Sequence, residues 1–234
     1  MITLSKRLQA IADMVPVCDT FTDIGTDHGY LPVFLLSNRV CRRAVASDLR
    51  KGPLDTARRN AGRYGIDKDR IEFILSDGLD DIVCPGEGFN VLSVTGMGGP
   101  VIMEILRRNE RKAGRYDAYI FSPHTKQADF RRYLISGGYT ITGEKHLVDE
   151  GKLYVIIKAV KGRQEPEGGF GEVYYNFGGF IREALRDEEV RAQYLRQYAE
   201  LTALISENPS IPDEKRQELV NKAIQYKEVL EIEA

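Results

Sequence analysis

The sequence predicts an α/β protein: a doubly wound, seven-stranded, mostly parallel sheet followed by a C-terminal helical hairpin. Three observations predict it. Strand-like and helix-like patterns alternate through about residue 160, and glycine-rich or acidic turns close the early strands. A Glu/Pro/Gly stretch at 162–171 then separates this region from a tail with apolar residues at helical spacing.

In order, Leu4, Leu8, Ile11, Ala12 and Val15 recur at helical spacing, so a helix over 4–15 leads into a strand at 21–25. Pro32 falls in the first turn of a helix over 30–37, and 43–47 reads as the second strand. Gly52-Pro53 opens a helix to about 64; strands at 71–75 and 89–94, a helix over 100–108, a strand at 118–121 and a helix over 128–135 follow. The last two alternating stretches, 140–148 and 153–160, have only Asp149-Glu150-Gly151-Lys152 between them. They predict a hairpin that closes the sheet with one antiparallel edge strand.

In the tail, Phe177, Ile181, Leu185, Tyr194, Tyr198, Leu201 and Ile205 keep a near-heptad rhythm broken only at Asp187-Glu188-Glu189. Leu219, Ala223, Tyr226 and Leu230 form a second stripe. Asn208-Pro209-Ser210-Ile211-Pro212 between them must break the helix. The expectation is two antiparallel helices packed along one seam. Dimerisation is a competing use of the same stripes, and a monomer is the simpler reading. The division expected is a catalytic domain at 1–162 and a linker with a helical hairpin at 163–234.

The chain has 234 residues, 42% hydrophobic and 29% charged, enough apolar material for a packed core. No apolar run approaches the ~18 residues of a membrane span, and the N-terminus runs straight into an amphipathic pattern without a signal-like apolar segment. The expectation is a soluble, cytoplasmic protein with no membrane partner. Cys18, Cys41 and Cys84 are an odd, scattered set with no C-x-x-C pair, which speaks against a disulfide framework and against a metal site. Net charge is only −2, but residues 1–163 hold 25 Lys/Arg against 20 Asp/Glu, whereas 164–234 hold 8 against 15. Between 39 and 63 the excess reaches six positive charges, so Arg42, Arg43, Arg58 and Arg59 are candidates for a phosphate-facing surface, with a merely solvated arginine-rich face as the competing reading.

Four turns carry the chemistry. Asp23-Ile24-Gly25-Thr26-Asp27-His28-Gly29-Tyr30 follows the first strand, and Asp48 ends the second, 19 residues after Gly29. Ser76-Asp77-Gly78 follows the third strand and Thr95-Gly96-Met97-Gly98-Gly99 the fourth. All lie at carboxyl ends of expected strands, the edge where an open α/β sheet binds its ligand. A dinucleotide enzyme would favour G-x-G-x-x-G, so that a pyrophosphate meets a helix N-terminus; here the spacing is Gly25-x-x-x-Gly29, which disfavours a nicotinamide oxidoreductase.

The pattern D-x-G-x-x-x-G instead resembles motif I of the class I methyltransferases. More narrowly, Leu4-Ser5-Lys6-Arg7-Leu8, the run from Asp23 to Pro32, and Gly96-Met97-Gly98-Gly99 resemble the bacterial tRNA (adenine-N1)-methyltransferase family TrmK, over roughly residues 1–160. The sequence departs from the family where Asp48 replaces a glutamate and Ser122-Pro123-His124 replaces a Gln-Pro-Asn-like turn. Asp27 stands where the wider superfamily has glycine.

The resemblance implies a Rossmann-like methyltransferase sheet and a helical tail that helps to hold tRNA. It also implies methyl transfer from S-adenosyl-L-methionine to N1 of an adenosine in the D-arm region, adenine 22. The cofactor-binding residues are then Asp23, Gly25, Gly29, Asp48, Asp77, Gly78, Thr95 and Gly96. Asp27 is the catalytic candidate, accepting from the exocyclic amine as charge develops on the ring, with the cofactor ammonium as its alternative partner. His28, Tyr30, Met97 and Gly98 are substrate candidates, joined by the four arginines. His28 is equally readable as a loop-capping residue and Tyr30 as a plug on the sheet. The Asn/Asp-Pro-Pro-aromatic turn found in enzymes that methylate exocyclic amines is missing, so a ring nitrogen fits better. A methyltransferase of small molecules or proteins and a non-catalytic RNA adaptor remain the competing classes.

Overall fold

The computed structural model describes residues 2–162 and 170–231. Much of the expected linker, at 163–169, lies outside the described residues. The sheet contains β1 (Cys18–Ile24), β2 (Cys41–Asp48), β3 (Ile71–Leu75), β4 (Asn90–Met97), β5 (Ala118–Pro123), β6 (Tyr139–Asp149) and β7 (Lys152–Lys161), in the order β3-β2-β1-β4-β5-β7-β6. Helices α1 (Lys6–Met14), α2 (Tyr30–Ser37), α3 (Lys51–Arg63), α4 (Gly99–Arg108), the short α5 (Glu110–Ala113) and α6 (Gln127–Ser136) complete this layered unit. α5 was not expected from the sequence.

Local chemistry explains the boundaries. Ser5 caps α1 by accepting from the Leu8 N–H at 3.2 Å. β5 is buried along its length, and its side chains alternate between the two faces: Ile120 joins the core under α1 and α2, while Tyr119 and Phe121 join the core under α4 and α6. Such two-sided burial is what a central strand between helical layers requires.

The antiparallel strand is not at the edge, as the sequence suggested. β7 runs antiparallel to both β5 and β6, and β6 forms the edge. The connection is a two-residue turn in which Glu150 (φ 48°) and Gly151 (φ 75°) both take left-handed conformations, matching the twist of a tight hairpin. With so short a link, β7 must pair with β6, and its apolar inner residues Ile156 and Ile157 are fully buried only when β5 covers the other side.

The tail forms α7 (Glu172–Phe177), α8 (Ile181–Ala184), α9 (Glu188–Glu207) and α10 (Asp213–Leu230). The first expected helix is therefore three pieces. α7 ends at Gly178 (φ 87°), where a side chain would overlap Glu144, and Asp187 caps α9 by accepting from the Glu189 and Val190 N–H groups. Phe177, Ile181, Leu185, Val190, Tyr194, Tyr226, Val229 and Leu230 make a third core, against which Val148 and Leu153 of the β6–β7 hairpin also pack.

Beneath this junction lies a buried ion pair. Arg131 Nε donates to Glu144 Oε1 at 2.7 Å, with both side chains at most 1% exposed, and Arg131 Nη1 donates to the Tyr175 carbonyl at 2.9 Å. Burial pushes the Glu144 carboxyl up, and Arg131 opposes the shift. Beside it, His146 Nδ1 meets the Tyr194 hydroxyl at 2.8 Å. Removing one member of such a pair leaves the other buried and uncompensated. Arg131→Met should therefore destabilise the protein by about 3–5 kcal/mol, while Arg131→Met/Glu144→Leu should recover most of the loss. Urea unfolding of the three proteins checks this, and a single variant as stable as the native chain overturns it.

Candidate active site

Parallel pairing sets the site. Ile24 stands level with Ser47 of β2 and Val94 of β4, and Asp48 stands level with Leu75 of β3, so the turns after these four strands open on one edge. They surround a cleft of about 490 Å³. Of the sequence candidates, Asp23, Gly25, Asp27, His28, Tyr30, Asp48, Asp77, Gly78, Thr95, Gly96 and Met97 all line it.

Asp23 is 3% exposed. Burial pushes its carboxyl up to about 6, opposed by the nearby Thr26 and Ser93 hydroxyls, and Thr26 Oγ1 and Ser93 Oγ are buried without a well-aligned partner. Asp48 ties two turns together: one oxygen accepts from the Asp27 N–H at 3.2 Å and the other from the Arg50 N–H at 2.9 Å. The first bond holds Asp27 in a left-handed conformation (φ 51°), which aspartate tolerates better than most residues. The Asp27 side chain is 62% exposed, with His28 Nε2 at 3.7 Å from its carboxylate, and His28 meets Tyr30 edge-on. Asp77 is ion-paired with Arg108 at 3.1 Å.

Gly25 (φ 73°) faces the Met97 side chain, which occupies the space a Cβ would need. Gly29 does not line the cleft. It lies behind the loop, where a Cβ would come within 2.7 Å of the Ala57 Cβ, so it permits α2 to pack on α3. Gly98 sits at the start of α4 beside Thr125 and also lies off the cleft.

The arginine surface is divided. Arg42 and Arg43 lie at the beginning of β2, six and five residues from Asp48, so roughly 17–20 Å of strand separates them from it. Arg42 pairs with Asp19 at 3.3 Å; Arg58 pairs with Asp55 at 3.0 Å and donates to the Phe73 carbonyl; Arg59 donates to Thr56 Oγ1.

One further residue, Arg7, belongs to the site, and His124, which lines a neighbouring cavity, stands behind it. Arg7 of α1 reaches into the cleft; its Nη1 lies 3.5 Å from His124 Nε2 and 3.5 Å from where a Cβ on Gly96 would stand, and its guanidinium lies over the Tyr154 ring. Among the described residues no carboxylate lies within ion-pair distance of this guanidinium. His124 is fixed by its N–H donating to the Met97 carbonyl at 2.8 Å, and burial, reinforced by Arg7 and Lys152, holds its imidazole below the ordinary range. The signal was present in Ser5-Lys6-Arg7-Leu8 and Ser122-Pro123-His124, but an arginine in a helix 117 residues from its histidine partner has no periodic signature. No group of three or more metal-ligating residues occurs among the described residues.

Residues 4–157 match the family described as methyltransferase domain. The tRNA (adenine(22)-N(1))-methyltransferase of Bacillus subtilis is 31% identical over 162 residues, which cover 69% of this chain and 67% of that one. The chain belongs to the TrmK family of class I methyltransferases. The solved structure of B. subtilis TrmK superposes with a TM-score of 0.85 at 26% identity, covering 98% of this chain and all of that one. A Streptococcus pneumoniae protein named as a candidate tRNA methyltransferase, solved with S-adenosyl-L-methionine, gives 0.83 at 28% identity, covering 97% and 100%. The TrmK likeness thus extends through the C-terminal helices, whereas the sequence match stops near β7.

The Asp23 shift has a consequence for stability. Its folded value of about 6 exceeds the ordinary 3.8, so its neutral form favours the fold below pH 3.8 and this contribution, about 3 kcal/mol, is lost as pH rises through 6. Asp23→Asn should therefore unfold at higher urea than the native chain at pH 7.5, with the difference vanishing near pH 4. Parallel stability profiles for the two proteins across this range would remove the strain from Asp23.

Proposed function

We infer that this chain transfers a methyl group from S-adenosyl-L-methionine to N1 of adenine 22 of tRNA. The observation that carries the reading is the charge pattern of one cleft, lined by a buried carboxyl, a guanidinium that has no carboxylate partner among the described residues, and the Asp48 carboxylate. This pattern is complementary to an amino-acid zwitterion joined to a ribose diol. Asp23 fits the ammonium and Arg7 the carboxylate, with Thr95 and Gly96 between them. Asp48 keeps lone pairs for the diol, and the Ser76-Asp77-Gly78 turn borders the adenine end. The glycines leave backbone open to close approach, and about 490 Å³ accommodates a ligand of this size. Bound, the cofactor supplies an electrophilic methyl group on a positively charged sulfur.

The residues of this chain contribute alignment and charge. N1 of adenine is already a nucleophilic lone pair, so holding the base in line accounts for much of the rate, a proximity effect of ~7–11 kcal/mol. Asp27, His28, Tyr30 and Met97 form the wall toward which the base approaches. Asp27 carries a carboxylate that accepts from the exocyclic amine while positive charge moves onto the ring. Because N1 lies on the pairing edge, the nucleotide must leave its pair or stack, at a few kcal/mol. Among the described residues no helix is long and apolar enough to cross a membrane. We read the enzyme as cytoplasmic and as a monomer, since Val190 and Tyr194 of α9 and Tyr226, Val229 and Leu230 of α10 are buried against one another and against Phe177 and Ile181 of α7 and α8.

Two experiments test this reading. Incubating unmodified tRNA with methyl-labelled cofactor should place the label in N1-methyladenosine at position 22; Asp27→Asn should lower turnover by ~100-fold with near-normal cofactor affinity. Label in another nucleoside contradicts the reaction, and near-native turnover of Asp27→Asn removes its catalytic role. For Arg7, calorimetry should find that Arg7→Gln binds S-adenosylhomocysteine about tenfold or more weakly, as expected for a lost charged hydrogen bond. Binding of methylthioadenosine, which lacks the amino-acid end, should be unchanged; equal losses for both ligands would reassign Arg7 to loop packing.

A further inference from the structure

Between α4 and β5 lies a second cationic surface. Residues 107–115 hold Arg107, Arg108, Arg111, Lys112 and Arg115 against Glu110 alone, and they line a groove of about 810 Å³. Two of these cations are occupied. Arg108 pairs with Asp77 and Asp80, each at 3.1 Å, and Lys112 donates to the Leu79 and Asp80 carbonyls. The other three are exposed. Arg107 lies over the Tyr133 ring, and among the described residues no carboxylate lies within ion-pair distance of Arg107, Arg111 or Arg115.

This contrasts with the 39–63 region, where Arg42 and Arg58 already have carboxylate partners. In a chain of net charge −2, three free guanidiniums spaced four residues apart around one groove repel one another unless an anion joins them. α4 also links the groove to the cleft: Val101 and Ile105 line the cleft, and the ten-residue helix spans about 15 Å before Arg107 and Arg108 emerge. A structured RNA with one base turned into the cleft lays its neighbouring backbone over the adjoining surface.

We propose that Arg107, Arg111 and Arg115 form a phosphate-binding surface for the tRNA substrate, each guanidinium able to grip a phosphate through two N–H groups. The contact is to the backbone and independent of base sequence, so it fixes orientation and affinity while the cleft selects the base. The inference rests on the tRNA reading above and adds the surface that reading lacks, because the cleft alone offers few unpaired cations.

The test is the variant Arg107→Gln/Arg111→Gln/Arg115→Gln, with Arg42→Gln/Arg43→Gln/Arg59→Gln as a control of equal charge change. Filter binding to unmodified tRNA across a salt series should give the first variant about tenfold or more weaker affinity. Its logarithmic salt slope should be shallower by about two to three, as for loss of as many phosphate contacts. KM for tRNA should rise in parallel, while kcat at saturating tRNA and affinity for S-adenosylhomocysteine stay within about twofold. A native affinity and slope in this variant overturns the proposal, and so does an equal loss in the control. Native protein that binds tRNA through these arginines yet methylates no adenosine sinks the functional reading and leaves the surface standing. Methylation of adenine 22 undisturbed by the triple variant does the reverse.

Discussion

Everything at the cleft depends on the parallel pairing of β1 with β2 on one side and β4 on the other. Parallel ladders carry all their carboxyl ends to one edge, so the register that aligns Ile24 with Ser47 and Val94 also gathers the turns beyond them. The Asp48 carboxylate then fastens two of those turns through backbone N–H groups, leaving the intervening side chains free for a ligand. Helices on both faces make this possible by burying strands that have no solvent side.

The site keeps groups whose own interactions are incomplete. Asp23 is desolvated, Thr26 and Ser93 have buried hydroxyls without well-aligned partners, and Arg7 presents a half-buried guanidinium with no carboxylate within ion-pair distance among the described residues. Each is held in place by something else: Asp23 by its strand, Arg7 by Tyr154 and His124. Such unfulfilled polar groups cost stability in the free protein and are offset by the hydrophobic layers on either side. The cleft is thus shaped before any ligand arrives.

Much of this was legible in the sequence because it is local. Period-two and helical patterns located the seven strands and the helices α1, α2, α3, α4 and α6, and the ends of α2 and β3 agree to the residue. The strand-end turns identified most of the cleft by the same logic. What failed is what sequence distance hides. β7 reads as a strand wherever it pairs, so its place between β5 and β6 was invisible. The heptad-like rhythm from Phe177 to Ile205 passes through Gly178-Gly179, and only the buried Glu144 beside Gly178 shows why no side chain fits there. Arg42, Arg43, Arg58 and Arg59 look like one patch in a string of letters, but the first two lie on a strand and the last two on a helix, and two are bound to their own acids. Gly29 was conspicuous for the right reason, close approach, with the wrong neighbour: Ala57.

The insertion of β7 inside the sheet has a consequence for synthesis. β5 is buried along its whole length, yet its outer edge finds a partner only when residues 157–160 arrive, some 40 positions later. At translation rates of about 5–20 residues per second, that edge stays uncovered for roughly 2–8 seconds on each nascent chain. An unpaired, hydrophobic strand edge is a template for pairing with other chains. The charged residues along the arriving hairpin, from Glu144 and Lys145 through Lys152 to Lys158 and Lys161, thus reach the ribosome exit just when the growing chain is most exposed to aggregation.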